Sequence, residues 1–241
     1  MISEEIVAFK NPKSISAESY RALRTNLEFA MNSEDQKVIL VTSSHVSEGK
    51  STIAANLAAV FAMQDKKTVI VDADMRRGIQ HRKFKVTNKN GLSSYLAKLS
   101  NFNDLLKPTD IPNLFVITCG PVPPNPAELV SNKNMKDLIE ILKTNFDIVI
   151  IDGAPVLPVT DSVILSAICD RVIIVASYGE THKEELKATK QSLTGAGANI
   201  AGVVLNKVDI KGKGYSKYGK YGKGYYGSYS YYGNSEKGEN K

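Results

Sequence analysis

The sequence lacks the long apolar stretch and the basic leader that mark membrane-spanning and exported chains. Among its 241 residues, no apolar run approaches the roughly 18–20 residues that a spanning helix needs. The first five residues include two acids, Glu4 and Glu5, where a signal peptide has bases. With 42% hydrophobic and 23% charged residues, the composition is typical of a soluble globular protein. We therefore expect an intracellular protein.

Cysteine is scarce as well. The two cysteines, Cys119 and Cys169, lie 50 positions apart and match no metal-binding or redox spacing. We interpret both as small buried apolar side chains. No metal or redox role is expected of them.

An excess of positive charge is missing from most of the chain, although the net charge is +6. Residues 211–241 carry seven lysines and two glutamates, a net charge of +5. The other 210 residues carry 24 basic and 23 acidic side chains, a net charge of +1. A nucleic-acid-binding surface on the folded body is therefore not expected.

The chain does contain a regular alternation of short apolar runs and helical patterns. Such alternation predicts an α/β fold with a mostly parallel sheet and helices on both faces. The length suits one large domain, and ligands of such sheets bind beyond the carboxyl ends of the strands. The apolar runs lie at 38–42, 68–71, 114–118, 147–152, 171–176 and 201–205.

Composition divides the chain into three segments. Residues 1–13 show no period and are interpreted as an extended N-terminal arm. Residues 14–210 are assigned to the domain, whose first helix occupies 14–32 with Ser16 as its cap. Residues 211–241 are rich in Tyr, Gly and Lys without an apolar period, so we expect this tail to be disordered.

Charged residues on the first helix allow two interpretations. Glu18, Arg21 and Arg24 fall at i, i+3 and i+6 and share much of one face. Spacing alone favours local pairs, Glu18 with Arg21 and Arg24 with Glu28, each stabilising by about 0.2–0.5 kcal/mol. The alternative is a subunit contact in which these charges pair between chains.

The segment 44–52 reads Ser-His-Val-Ser-Glu-Gly-Lys-Ser-Thr and lies between an apolar run and a helical pattern. Strand, small-residue loop, Gly-Lys-Ser and helix together are typical of the phosphate loop of a P-loop NTPase. Lys50 would reach the β- and γ-phosphates, and the Ser51 hydroxyl would ligate Mg²⁺. The pattern has glycine where this chain has Ser44. Backbone N–H groups of the loop bind phosphate, and the predicted nucleotide-binding residues are Ser47, Glu48, Gly49, Lys50, Ser51 and Thr52.

Three carboxylates follow two other apolar runs. Asp152 ends the fourth run and is suited to hold Mg²⁺, directly or through water. Asp72 and Asp74 stand two apart after the second run, so both can face one cleft. One could help to hold the metal while the other accepts a proton from an attacking hydroxyl. The alternative is a turn with solvated acids, balanced by Arg76 and Arg77.

Together these motifs resemble those of the bacterial tyrosine kinases, the cytoplasmic autokinases of capsule and exopolysaccharide export. Residues 43–52 resemble the family's first Walker motif, and 69–76 its A′ motif of three apolar residues and then D-x-D-x-R. Residues 148–155 match its B motif, apolar residues and then D-x-x-P. Residues 18–24 match the E-x-x-R-x-x-R segment associated with ring-shaped oligomers. The similarity covers 14–232.

The resemblance implies a reaction and its residues. A kinase of this family uses ATP and Mg²⁺ and phosphorylates tyrosines in the tails of neighbouring subunits. Lys50, Asp72, Asp74 and Asp152 would be catalytic, and Ser51, Asp72 and Asp152 would hold the metal. The tyrosines of the tail are Tyr215, Tyr218, Tyr221, Tyr225, Tyr226, Tyr229, Tyr231 and Tyr232.

The resemblance also implies partners and a location. We expect a homo-oligomer, in ring form, with Glu18, Arg21 and Arg24 at the subunit contact. A separate membrane protein of the polysaccharide co-polymerase type would activate the kinase, and a cognate phosphotyrosine phosphatase would reverse the modification. Other protein substrates are compatible with this scheme. The kinase would be cytoplasmic and recruited to the inner face of the membrane through its activator.

Two departures from the family pattern and several alternative functions stand beside this interpretation. Val46 and Ser47 replace the usual Pro-Gly, and a side chain at 47 is expected to weaken nucleotide binding. Gly78 stands where proline often follows the double arginine. A regulatory or positioning ATPase of the MinD/ParA type has a second lysine where this chain has His45. A nucleotide-gated scaffold with little turnover, or a tail that binds RNA by stacking, are further alternatives.

Overall fold

The computed structural model of the chain describes residues 2–33 and 35–209. The expected tail disorder and the eight tail tyrosines fall outside the described residues. Internal contacts divide the chain into two units, 1–206 and 207–241. Within the described residues, no helix is both long and apolar enough to span a membrane.

A seven-stranded sheet forms the centre of the domain. The predicted α/β fold is confirmed, because every strand pairing is parallel except the one between the two strands at one edge. The order across the sheet is β3-β4-β2-β5-β1-β6-β7. The strands are β1 (Val38–Ser43), β2 (Thr68–Asp72), β3 (Lys107–Pro108), β4 (Leu114–Ile117), β5 (Ile148–Asp152), β6 (Arg171–Ser177) and β7 (Ile200–Asn206).

Helices cover both faces of this sheet, as predicted. Alternate residues of β1 enter two separate cores: Ile39 and Val41 join one, Val38 and Leu40 the other. This is the two-sided burial expected of a parallel strand. A 3₁₀ turn occupies Phe102–Asp104, and the α-helices are α1 (Val7–Lys10), α2 (Ile15–Ala30), α3 (Lys50–Ala62), α4 (Gln80–Lys83), α5 (Leu92–Leu96), α6 (Pro126–Ser131), α7 (Lys133–Asn145), α8 (Asp161–Ser166) and α9 (Lys183–Gly195).

The N-terminal segment is packed onto the domain, so the prediction of an extended arm is wrong. Ile2 and Ile6 are buried in the core that also contains most of α3. Asn56 of α3 fixes the backbone of this segment: its Oδ1 accepts from the Ala8 N–H at 2.9 Å, and its Nδ2 donates to the Glu5 carbonyl at 2.8 Å. A buried amide with two long-range backbone bonds holds the segment although its sequence has no period.

Because α1 and α2 cover its outer side, α3 is buried almost all round, and Thr52 is its one residue that is not buried. The cap of helix α2 lies two residues earlier than predicted, since Ser14 rather than Ser16 accepts from the Ala17 N–H at 3.1 Å.

Three neighbouring strands bring the predicted site residues to one edge. β2, β5 and β1 are adjacent and parallel, so their carboxyl ends lie side by side. The phosphate loop follows β1, Asp72 ends β2 and Asp152 ends β5. The Cα atoms of Asp72 and Asp152 are direct partners across the β2–β5 pairing. The carboxylates are therefore placed opposite the loop by the register of the sheet.

Candidate active site

The loop at 44–49 is held by side chains from distant parts of the chain. Ser44, where the motif pattern has glycine, is fully buried and accepts a hydrogen bond from the Thr189 hydroxyl of α9 at 2.8 Å. Glu48 turns its carboxylate back into the loop, where it accepts from the His45 N–H at 2.8 Å. Asn206, at the end of β7, donates to the Glu48 carbonyl at 2.9 Å. These contacts fix the loop backbone.

Two residues of the loop have left-handed backbone conformations. Gly49 has φ 97°, and a Cβ there would lie 2.0 Å from the Asn206 Nδ2 atom, so glycine is required. Ser47 has φ 65° and its side chain is exposed. The departure from the family at 47 therefore imposes backbone strain, which for a non-glycine residue in this region costs about 1 kcal/mol or more.

We expect the free energy of unfolding of Ser47→Gly to be about 1 kcal/mol higher than that of Ser47→Ala, because alanine keeps the strained Cβ and glycine removes it. Urea denaturation of the two variants under identical conditions measures the difference. The comparison with alanine cancels the loss of the exposed hydroxyl. Equal midpoints with equal slopes would show that the backbone at 47 carries no strain.

Lys50 and Ser51 meet Asp152 and Asp74 as the sequence predicts. The Lys50 Nζ atom donates to Asp74 Oδ2 at 2.8 Å and lies 3.4 Å from Asp152 Oδ1. The Ser51 hydroxyl donates to the same Asp152 oxygen at 3.0 Å. All four residues are buried. Thr52 is less central, since its N–H donates to the Gly49 carbonyl at 3.1 Å and its hydroxyl accepts from Lys83 at 2.9 Å.

Asp72 differs from the other two carboxylates in having an oxygen without a partner. Its Oδ2 accepts from the Gln80 N–H at 2.9 Å, whereas its Oδ1 is buried and makes no hydrogen bond to the described residues. In contrast, Asp74 uses one oxygen for Lys50 and the other for the Arg77 N–H at 3.0 Å. Of the predicted pair, Asp72 thus retains a free acceptor atom.

The electrostatics of the cluster follow from burial and crowding. Burial and then the charge of Asp152 raise the pKa of Asp72 well above its ordinary value, against the Gln80 hydrogen bond and the charge of Lys50. Burial lowers the pKa of Lys50, but the charges of Asp152, Asp74 and Asp72 outweigh it and leave the pKa raised. Lys50 therefore stays charged at neutral pH, and Asp72 holds a proton more readily than an exposed aspartate.

Sequence reasoning missed Gln80, which lies at the centre of the site. Its fully buried amide donates to Asp152 Oδ2 at 2.8 Å and to the Ser51 carbonyl at 2.9 Å, while its own N–H contacts Asp72. Gln80 thereby links the ends of β2 and β5 to the first turn of α3. A neutral residue outside every motif gives no sequence signal of such a role.

Two further contacts were also missed. Asn206, described above, fixes the loop from a strand that the pattern marked only as apolar. Arg76 was considered only as a neutraliser of nearby acids, but it forms a two-pronged pair with the fully buried Asp161, at 3.0 and 3.2 Å. This pair ties the segment after β2 to the start of α8. The D-x-D-x-R spacing contains Arg76, but its partner lies 85 residues away and no local pattern indicates it.

The charges of α2 form the local pairs that spacing favours. Arg21 is 2.6 Å from Glu18, and Arg24 is 3.9 Å from Glu28. Arg24 is only 8% exposed and donates to the Val60 carbonyl at 3.0 Å, so it faces its own domain. The structure therefore leaves Glu18 and Arg21, but not Arg24, at a surface where another subunit can be met.

His45, which occupies the position of the second lysine in MinD/ParA-type ATPases, is exposed. Its Nε2 atom lies 3.1 Å from Glu185 of α9. The residue is thus engaged with its own chain and not aimed at the Lys50 cluster.

Both the sequence and the structure of this chain are similar to those of known proteins. Residues 36–188 match the protein family described as an AAA domain. The chain is 40% identical over 227 residues to the tyrosine-protein kinase YwqD of Bacillus subtilis (strain 168), covering 94% of this chain and 93% of that relative. The kinase domain of the Escherichia coli tyrosine kinase ETK has a similar structure, with a TM-score of 0.84 and 36% identity over 86% of this chain and 82% of that one.

A more distant likeness concerns the fold alone. The cell division ATPase MinD of Pyrococcus furiosus superposes with a TM-score of 0.62 at 23% identity, over 72% of this chain and 74% of that one.

Proposed function

This chain belongs to the bacterial tyrosine kinase family, and we propose that it is an ATP-dependent protein-tyrosine autokinase acting on the C-terminal tyrosines of neighbouring subunits. One carboxylate supports this function over simple nucleotide binding. Asp72 is fully buried, has an oxygen without a hydrogen bond within the described residues, and is the direct sheet partner of Asp152. A phosphate loop with Asp152 suffices to bind a nucleotide, whereas Asp72 adds an acceptor for the proton of an attacking hydroxyl.

The residues of the site fit a Mg²⁺-nucleotide. Ser51 Oγ and Asp152 Oδ1 are 3.0 Å apart. Neighbouring oxygens around an octahedral Mg²⁺ with bonds of about 2.0–2.1 Å stand roughly 2.9 Å apart, so this pair has the spacing of two adjacent ligand positions. Bound there, Mg²⁺ would neutralise charge on the β- and γ-phosphates of ATP. The N-terminus of α3 and the loop backbone supply the N–H groups for those phosphates.

Each charged residue then has a separate role. Lys50 exchanges its carboxylate partners for the β- and γ-phosphates and stabilises the charge that develops there. Asp74 holds Lys50 and the Arg77 N–H, so it positions the lysine. Asp72 accepts the proton of the substrate tyrosine hydroxyl. As it does so, the tyrosine oxygen bonds to the γ-phosphorus of ATP, and the bond between that phosphorus and the leaving ADP breaks. A carboxylate with a raised pKa is the stronger base for this step. We assign Asp72 to proton transfer and not to the metal.

The substrates in this proposal are the eight tyrosines at 215–232, which fall outside the described residues. The unmodified segment 211–241 carries a net charge of +5, and a basic segment is drawn toward a cleft with three carboxylates. Each phosphotyrosine adds about −1.5 to −2 charge at neutral pH, so a phosphorylated segment is repelled from the same cleft. In cellular terms, we place the protein in the control of capsular or extracellular polysaccharide synthesis.

Assembly in a ring accounts for transfer between subunits. Ile15, Glu18 and Phe29 share one face of α2 by helical spacing, and Ile15 is 57% and Phe29 81% exposed. Two large apolar side chains beside the Glu18–Arg21 pair suit a surface that a second copy covers. A membrane activator of the polysaccharide co-polymerase type would recruit this cytoplasmic assembly to the inner membrane face, and a phosphatase would reset it.

Mapping phosphate by mass tests the proposed reaction. The chain is incubated with Mg-ATP and the cytoplasmic segment of its membrane partner, and phosphotyrosine is expected at 215–232. A chain with the eight tyrosines replaced by phenylalanine is the matched control and should release far less ADP. Phosphate release without phosphotyrosine, equal in both chains, would instead identify an ATPase with water as acceptor.

A further inference from the structure

A second group of chemically distinct donors meets at Asp72. Asp72, His81 and Cys119 each place one potential ligand atom within 4.8 Å of the other two. The Asp72 Oδ1 and His81 Nδ1 atoms are buried and have no hydrogen-bond partner among the described residues. It costs free energy to bury two polar atoms without a hydrogen-bond partner, so their presence near a buried thiol suggests that something binds them.

The backbone is arranged so that these groups come together. A Cβ at Gly78 would lie 2.3 Å from the Cys119 sulfur and 2.8 Å from Asp72 Oδ2. Only glycine allows the segment between β2 and α4 to pass this close to both side chains. Gly78, one of the two departures from the family pattern, thus allows the backbone to pass beside Cys119 and Asp72 without a clash.

We propose that Asp72, His81 and Cys119 form a binding site for a thiophilic divalent cation, with Zn²⁺ as the preferred ion. Carboxylate, imidazole and thiolate together are a typical ligand set for zinc, whereas Mg²⁺ selects oxygen. With Zn–S bonds of about 2.3 Å and Zn–N or Zn–O bonds of about 2.0–2.1 Å, ligand atoms stand roughly 3.3–3.6 Å apart. The three atoms lie within 4.8 Å of one another, so the site needs a contraction of at most about 1.5 Å, which side-chain rotation supplies.

The charge state of the three groups is compatible with this ion. Burial and the charge of Arg82 lower the pKa of His81, so its imidazole is neutral and able to ligate. Burial and then the charge of Asp72 raise the pKa of Cys119 to about 12. The ion must displace the thiol proton, which goes to solvent as the metal–sulfur bond forms, so the affinity for the ion should rise with pH. One thiolate and one carboxylate then balance the charge of the ion.

Bound zinc would inhibit the kinase. It would bind the Asp72 carboxylate, which takes the tyrosine proton in the reaction described above. This consequence rests on the proposed function, whereas binding of the ion does not.

Cobalt substitution tests the site directly. The full chain, free of nucleotide and Mg²⁺, is titrated with Co²⁺, and a thiolate-to-cobalt charge-transfer band that Zn²⁺ abolishes is expected. Cys119→Ser should lose the band, while Cys169→Ser, the matched control, should keep it. Circular dichroism verifies that both variants are folded, and His81→Gln should weaken cobalt binding tenfold or more. A band that survives Cys119→Ser, or no band in the wild-type chain, would refute the site.

A second measurement addresses inhibition. Phosphotyrosine formation in excess Mg-ATP is followed with increasing Zn²⁺, and each variant is compared with its own zinc-free rate. Cys119→Ser should retain a larger fraction of that rate than the wild-type chain or Cys169→Ser. Equal inhibition of all three would show that zinc acts elsewhere, whatever the cobalt titration gives. If no phosphotyrosine forms at all, the kinase proposal fails and the cobalt result still decides the site.

Discussion

A chain carrying Lys50→Met should lose phosphotyrosine formation by a factor of about 10²–10³ or more, the cost of removing one preorganised donor to developing charge. Lys50 is the cation that lies between Asp74 and Asp152, at 2.8 and 3.4 Å, beside the first turn of α3. Methionine fills a similar volume without charge. The rate is measured as phosphotyrosine per chain under Mg-ATP, with Lys66→Met, an exposed lysine outside the site, as control.

The same substitution should also destabilise the domain. It leaves the buried carboxylates Asp72, Asp74 and Asp152 without their shared cation, and breaking a buried ion pair from one side costs about 3 kcal/mol. Burial and the charge of Asp152 raise the pKa of Asp72, so Asp72 takes up a proton as the pH falls and the deficit should shrink. Unfolding by urea at neutral and acid pH measures it. A Lys50→Met chain as stable as Lys66→Met at neutral pH would contradict the proposed charge balance.

Asp72→Asn should lower the rate of phosphotyrosine formation by about 10²–10⁴, the usual contribution of a general base. The amide has the shape of the carboxylate and keeps an oxygen for the Gln80 N–H, but it cannot take a proton. KM for ATP should change little, because Lys50, Ser51 and Asp152 remain. If Asp74→Asn instead lowered kcat more strongly at unchanged KM, the base would be Asp74.

Stability should change in the opposite direction to activity for Asp72→Asn. The folded-state pKa of Asp72 is raised above its unfolded value. Its contribution to stability is therefore fully present below the unfolded pKa, about 3.9 for aspartate, and is lost as the pH rises through the folded pKa. Asparagine does not ionise, so the variant should lack this loss and be more stable than the wild-type chain at pH 7. Urea unfolding between pH 4 and 8 measures the change, and the exposed Asp137→Asn is the control. If the free energy of unfolding varied with pH in the same way for all three chains, the raised pKa of the buried Asp72 would be contradicted.

Most strands and the main site were predictable because both depend on local sequence. A fully buried parallel strand needs a continuous apolar run, as in 148–151, and a phosphate loop needs Gly-Lys-Ser after such a run. Once parallel strands are placed, their carboxyl ends share one edge, so Asp72, Asp74 and Asp152 could be assigned to the Lys50 cleft without knowing the strand order.

What escaped prediction depends on contacts between distant segments. Helix α1 has four residues, too few to be stable alone, and it exists because the core around α3 and the Asn56 amide hold it. Strand β3 has two residues and includes a proline, which suits an edge position and leaves no period. Gln80 and Asn206 are neutral amides whose partners are fixed only by the completed fold.

The close approach of Gly78 to Cys119 also limits the order in which this sequence can change. A Cβ at 78 would lie 2.7 Å from the Cys119 Cβ, so Cys119→Ala alone would not make room for it. The two positions should therefore be strongly epistatic. Gly78→Pro, the change toward the commoner family residue, should be less destabilising on a Cys119→Gly background than on the present one, where it also meets the cysteine side chain. A mutational path to the proline form is therefore less costly if position 119 changes first.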